Sequence, residues 1–343
     1  MRLFLATAIF LLVSTFTRAE SESGVIIAYH HVATDTPPST SLSPAAFEAH
    51  LKYLKENDFS VMGLPEMLES LALKKPLPPK AVAITFDDGY SSIYQTAFPM
   101  LQEFGYPFTL FVSTGPIDRA QSKYMSWENI KEMAAAGVTI ANHLVDHPYM
   151  LEKRANEDDT QWLDRLRMEI LAAENTIKMQ TGQSHQLLAY PYGEYDNRIQ
   201  KLVSDLGFTG VAQNSGAVGF FSDKTALPRF PLASIYANLD TAKVKFASKA
   251  FKVEQLAPIS PVTSELRPVA KLKFSPDDYR RQQVACFSGG QPMQMDWSDD
   301  EDGVVVIRPN EDLNGRRSRY VCTAPDINDG RFYWYSVQWI NPL

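Results

Sequence analysis

Three stretches of this chain place groups capable of acid–base chemistry or metal ligation directly after an apolar run. "VIIAY" leads into His30 and His31, "AVAITF" into Asp87 and Asp88, and "VTIAN" into His143, with His147 four residues further on. Adjacent carboxylates raise each other's pKa, so Asp87 and Asp88 call for a positive partner. An aspartate and two histidines are a sufficient ligand set for a divalent ion with positions left open, and zinc is the commonest ion for such a set. Taken singly, each signal has a plainer reading: Asp-Asp-Gly also makes a turn, and histidines four apart also occur on a helix without a ligand. Leu144 stands where a zinc protease of the H-E-x-x-H type carries glutamate, which argues against that class.

These residues can meet only if the elements between them bring the strand ends together. From Gly24 to about Ala250, short apolar runs alternate with helical patterns. "SPAAFEAHLKYLKEN" opens with Ser43 as N-cap and Pro44 at the first helical position, and Phe47, Leu51 and Leu54 line one face. "KAVAITF", "PFTLFVS", "VTIAN", "HQLLAYPYG" and "FTGVAQ" read as strands. Helices are expected over "SIYQTAFPMLQEFG", over "SWENIKEMAAAG" behind Ser126, from about 157 to 180, and over "NRIQKLVSDLG" behind Asp196. Repeated strand–helix units imply an α/β fold with a parallel sheet, open or closed into a barrel, whose strand carboxyl ends gather on one rim.

The pattern changes after Phe251. Residues 255–268 hold three prolines and little periodicity, as in a linker. Beyond it, "GVVVIRP", "SRYVCTAP" and "RFYWYSVQWI" read as strands of a small β-rich domain. Cys286 and Cys322 are the only two cysteines, and in an oxidising compartment they most simply pair as a disulfide. The alternating aromatics Phe332, Tyr333, Trp334, Tyr335 and Trp339 suit a sandwich core or a carbohydrate-binding face.

Residues 1–19 carry Arg2, an apolar run from Leu3 to Phe16 and then Thr17-Arg18-Ala19, the form of a secretory signal cut after Ala19; a membrane anchor is the other reading. Later stretches offer no apolar run long enough to span a bilayer. The formal charge is −7 and becomes −9 when Arg2 and Arg18 leave. That balance disfavours nucleic acid and other polyanions as partners. The organisation expected is a leader over 1–19, a main domain over 24–254, a linker over 255–268 and a small β domain over 269–343, in a periplasmic or secreted protein.

Together the motifs resemble those of the NodB-like polysaccharide deacetylases of carbohydrate esterase family four, over roughly Val25 to Phe230. "TFDDG" at Thr85–Gly89 is similar to the first motif, "HLVDH" at His143–His147 to the second and "YPYG" at Tyr190–Gly193 to the third. "AYHHV" and "YPYGEYD" resemble the branch acting on poly-N-acetylglucosamine. The resemblance implies a deformed (β/α) barrel and a hydrolase that removes N-acetyl groups from a β-linked N-acetylglucosamine polysaccharide. It further implies Asp88, His143 and His147 as ligands of a divalent metal, most simply Zn2+, and Asp87 as general base. The metal and the Tyr192 backbone N–H would stabilise the oxyanion.

Two positions depart from the family pattern. The arginine expected two residues before the proline of "PYG" is Ala189, so Arg229 in "LPRFPL" is the candidate to steady Asp87. No histidine follows the third motif, so His30 is the candidate proton donor to the leaving amine, with a purely positioning role as the other reading. Tyr29, Trp127, Tyr190, Pro191, Tyr192 and Arg229 are candidate substrate contacts; for the aromatics a core role is equally open. An O-acetyl polysaccharide esterase using the same site, and a carbohydrate-binding matrix protein without turnover, stand as alternatives.

Overall fold

The computed structural model of the protein describes residues 21–342, so the leader expected over 1–19 lies outside the described residues. Six parallel strands pair in chain order: β1 Ser23–Tyr29, β2 Ala81–Phe86, β3 Phe108–Val112, β4 Thr139–Asn142, β5 Leu187–Ala189 and β6 Thr209–Val211. β7 Ala217–Gly219 runs antiparallel beside the start of β1, and β8 Phe230–Pro231 lies parallel beside its end. A bridge between Val211 and Leu227 brings β6 towards the same segment, so the sheet curls into a deformed (β/α) barrel. Its central strands are mostly apolar because both faces are covered: Val82, Ile84 and Phe86 enter one core cluster while Ala81 and Ala83 enter another.

The helix Pro44–Glu56 starts where Ser43 accepts the Ala46 N–H at 3.1 Å, and it buries Phe47, His50, Leu51 and Leu54. The 23-residue helix Asp159–Thr181 is closed at its start by a capping box between Asp158 and Gln161. The helix expected from Ser92 is broken into a π turn, Ile93–Ala97, and a short α-helix, Phe98–Phe104. Helices Leu64–Ala72 and Leu239–Phe246 were not anticipated from the sequence. Among the described residues no helix is long and apolar enough to cross a membrane.

Beyond the barrel, two sheets of five and four strands pack around Leu272, Val305, Tyr320, Tyr333, Val337 and Trp339. Cys286 and Cys322 face each other on paired strands and form a disulfide. The segment 255–268 departs from the linker reading. Gln255 already belongs to the strand Val253–Ala257 paired with Ala270–Phe274, and Pro261 and Thr263 hydrogen-bond through their backbones to Ile340. Proline removes donors but leaves carbonyls free, so a proline-rich stretch docks here along a sheet edge. The β-rich module therefore begins at Lys249–Ala250, which pairs with Tyr333 and Trp334.

Candidate active site

The strand ends converge as the βα topology requires. Asp87 and Asp88 follow β2, His143 and His147 follow β4, His30 follows β1, and the turn Pro191–Gly193 follows β5. Backbone strain is concentrated here. Asp88, Leu144, His147 and Tyr192 have φ of 75°, 66°, 52° and 58°, in the left-handed region that side-chain-bearing residues avoid, at on the order of 1–3 kcal/mol each. Gly89, at φ 91°, continues the bend after Asp88, so the two carboxylates leave the alternation of the strand and share one site.

"HLVDH" is a loop rather than a helical turn. Asn142, buried, fixes its start by donating to Ile170 O at 2.9 Å and accepting from Leu144 N at 2.9 Å. Ser113 Oγ donates to His143 O at 3.1 Å, and the N–H groups of Thr114 and Gly115 donate to Leu144 O and Val145 O. A Cβ at Gly115 would lie 2.9 Å from Val145 O, so close approach of the two loops needs glycine there. Asp146 turns outward to Arg119 at 2.7 Å.

His143 donates from Nδ1 to the Ala189 carbonyl at 2.7 Å, which leaves the Nε2 lone pair facing inward. That nitrogen is buried and without a hydrogen-bond partner, 3.3 Å from Asp88 Oδ1; His147 Nε2 is 3.4 Å from the same oxygen. The three donor atoms lie within 4.8 Å of one another. Lone pairs converging on one point need a cation between them, and an N, N, O set suits a divalent ion of intermediate softness. The electrostatics agree. Burial disfavours charge on His143, yet Asp88 and Asp87 override it and push its pKa up, while burial and His143 lower that of His147 to about 4. Burial would raise Asp88, but the three neighbouring histidines hold it well below the usual carboxylate range.

Asp87 is fully buried and gripped bidentately by Arg229, Nη1 to Oδ1 and Nη2 to Oδ2, both at 2.7 Å. The guanidinium is itself fixed by the Ala212 carbonyl at 2.8 Å and Thr85 Oγ1 at 3.1 Å. Burial alone would raise the carboxyl, but Arg229 and His143 keep its pKa below the ordinary value. His30 Nε2 lies 3.9 Å from Asp87 Oδ2. His31 turns away, stacked on Tyr90 at 3.8 Å with Nδ1 3.3 Å from Ser92 Oγ.

Several candidate substrate contacts lie elsewhere. Tyr29 is 1 % exposed, its hydroxyl on His50 Nδ1 and its ring against Phe47; Tyr190 is fully buried with its hydroxyl on Thr225 O. Both rings point into the core because their strands are covered on both faces. Trp127 packs in the core with its N–H on Asp118, Pro191 is buried in the turn, and Arg229 is too deep to touch a polymer. The half-buried aromatic at the rim is Tyr192, stacked on Tyr149 at 3.9 Å and edge-on to His147 at 4.4 Å. Sequence reading passed over Tyr149, Glu194 and the Arg316-Arg317 doublet. Fully buried Glu194, next to the third motif, accepts from Arg316 Nε at 2.7 Å and Arg317 Nη1 at 2.9 Å, and the two guanidiniums lie over Tyr149 and Tyr192. "GEYD" and "GRRSR" held the only signal, and nothing in either names the other.

Comparison with known proteins agrees with this geometry. Residues 74–211 match the family described as polysaccharide deacetylase. A Bacillus subtilis (strain 168) protein, YxkH, whose name classes it with the polysaccharide deacetylases, is 29 % identical over 205 residues, covering 60 % of this chain and 69 % of its own. The poly-beta-1,6-N-acetyl-D-glucosamine N-deacetylase of Escherichia coli K12 is 22 % identical over 269 residues, 68 % of this chain but only 39 % of that protein. The structure of IcaB from Ammonifex degensii aligns over 64 % of this chain and 98 % of its own with a TM-score of 0.55 and 26 % identity. All three strand-end motifs of the barrel lie within the residues, 74–211, that match the polysaccharide deacetylase domain.

Proposed function

We propose that this protein is a metal-dependent hydrolase that removes N-acetyl groups from a β-linked N-acetylglucosamine polysaccharide, working in a periplasm or outside the cell. The observation that carries the reading is a buried carboxylate, Asp87, held ionised by Arg229 beside the convergent donors of Asp88, His143 and His147. The activity named for the Escherichia coli relative supports the choice of substrate. A divalent ion, for which we choose zinc, would be held by those three residues and would supply Lewis-acid polarisation of the acetyl carbonyl.

The chain's own residues do the rest. Asp87 accepts a proton from the attacking water, whose oxygen bonds to the carbonyl carbon. The Tyr192 backbone N–H, presented by the left-handed turn, donates to the oxyanion. The C–N bond then breaks as His30 gives its proton to the departing amine, leaving acetate and a free amino sugar. Arg229 meets the need created by Ala189, which weakens the reading of a barrel retained without turnover. The test is acetate release from β-1,6-linked N-acetylglucosamine oligomers. We expect chelator to abolish it and metal to restore it, and Asp87→Asn to lose about 10²- to 10⁴-fold in kcat. Chelator-insensitive release would overturn the proposal, and faster release from acetylated xylan would move it to an O-acetyl esterase.

A further inference from the structure

Between the barrel and the β-rich module lies a cleft of about 950 Å3 that the chemistry above leaves unused. Its floor is one face of the strand Arg317–Pro325, where Arg317, Arg319, Val321 and Thr323 recur at the two-residue period of a strand. Trp334 and Phe332 continue this floor from the neighbouring strand, paired with Thr323 and Pro325. The wall on the barrel side is the helix Leu239–Phe246 with Tyr236 before it.

Two cations of this cleft, one buried and one half-buried, have no carboxylate partner among the described residues. Lys245 is 8 % exposed, and its ammonium lies over the Tyr236 ring, 4.6 Å from Nζ to the centre. Arg319, on the floor strand, has neither an ion pair nor a side-chain hydrogen bond among the described residues and is close enough to push Lys245 down. Burial and Arg319 together bring the Lys245 ammonium to about 8. The other charges do not relieve them: Arg317 is taken by Glu194, Asp312 by Arg267, and Glu311 is exposed. Taking a cation out of water without an anionic partner is costly, and an anion bound between these two would relieve both.

Arg317 lines the cleft and also reaches the active-site rim, its guanidinium lying over the Tyr192 ring, 5.4 Å from its centre. Arg319 is two residues further along the same strand, roughly 7 Å beyond. We propose that this cleft holds a negatively charged residue of the glycan undergoing deacetylation, with Lys245 and Arg319 binding its carboxylate or phosphate and Trp334 and Phe332 offering faces for the sugar rings. The inference rests on the deacetylase reading for the identity of the polymer, and its substrate is accordingly an acidic N-acetylated glycan.

Binding is measured by calorimetry on the full disulfide-bonded chain, so the result does not depend on turnover. The probes are a neutral N-acetylglucosamine hexamer, an equal-length oligomer alternating with glucuronic acid, and a phosphate-bearing oligomer. One or both acidic oligomers should bind at least tenfold more tightly, and the two arms tell carboxylate from phosphate. In Lys245→Met with Arg319→Gln that preference should collapse towards unity, while Lys245→Arg should keep it. Equal affinity for neutral and acidic oligomers, or a preference that survives the double substitution, would overturn the inference. Free glucuronate or inorganic phosphate binding as tightly as the oligomers would also overturn it, by showing a small-anion site. Failure to release acetate from any glycan would instead remove the deacetylase reading while leaving a measured acidic preference in place.

Discussion

At the scale of single residues, the site depends on Asp87 staying ionised in a place where burial opposes it. Arg229 is what reverses the balance, through two bonds of 2.7 Å inside a fully buried pair. Removing one member of such a pair leaves an uncompensated buried charge, at about 3–5 kcal/mol. In Arg229→Gln the Asp87 pKa should rise, so the base is ionised only at higher pH. The acid limb of kcat/KM should move upward in pH, and activity at neutral pH should fall by about 10-fold or more. Arg229→Lys should recover part of the charge but not the fork. An acid limb unchanged in Arg229→Gln would show that some other group sets the state of Asp87. The four polar motif residues were legible because they follow two apolar runs, Asp87 and Asp88 directly after one, His143 directly after the other and His147 four residues beyond it. Arg229 was legible only as a candidate, since 142 residues separate it from Asp87 and only closure of the barrel joins them.

At the scale of elements, the helix Pro44–Glu56 is joined to β1 and to the segment before Leu239–Phe246 by one buried histidine. His50 Nδ1 accepts from the Tyr29 hydroxyl at 3.0 Å, and Nε2 donates to Ala237 O at 2.8 Å, so the ring is used as a neutral connector. Burial pushes its pKa down to about 4, against an ordinary value of 6.5. Between those two values the unfolded chain binds the proton and the folded chain does not, so stability falls as pH falls through this window. The contribution amounts to about 3 kcal/mol across it. Urea midpoints from pH 6.5 to 4 should therefore drop less steeply in His50→Gln, which keeps a donor and an acceptor but cannot titrate. Parallel curves would remove His50 from the account. Elements with side-chain caps were readable from the sequence, as at Ser43, Ser126 and Asp196. The helix Leu64–Ala72 buries Leu64, Met67 and Leu71 but follows Gly63, which offers no side-chain cap; Leu239–Phe246 is capped by Asn238 but buries only Ala242, Lys245 and Phe246, so each lacked one of the two signals. Likewise 255–268 read as a tether because its docking to Ile340 uses backbone groups, which residue types do not reveal.

At the scale of the whole molecule, the two modules share the third motif. The metal-ligand candidates all come from the barrel, but the turn beside them is held from outside it. Gln338 Nε2 donates to Gly193 O at 2.7 Å, Arg316 and Arg317 grip Glu194, and Ser336 reaches the Ser215 carbonyl. Net charge, the only whole-molecule electrostatic quantity the sequence offers, argued against anionic partners; the cleft shows that an acidic chain of −7 can still concentrate cations locally. The division of labour makes a separable prediction. Arg316→Ala with Gln338→Ala loosens the turn that presents Tyr192 without touching Asp88, His143 or His147. Metal content per chain should stay that of the parent protein, while kcat should fall by about 10-fold or more, the order expected when an oxyanion donor loses its position. Arg316→Lys in place of Arg316→Ala should restore part of the loss by renewing the contact with Glu194. If metal and kcat fell together, the β-rich module would be supporting the barrel as a whole; if neither changed, the turn would hold its shape by its own strained backbone, and the module's part in the chemistry would be confined to the cleft.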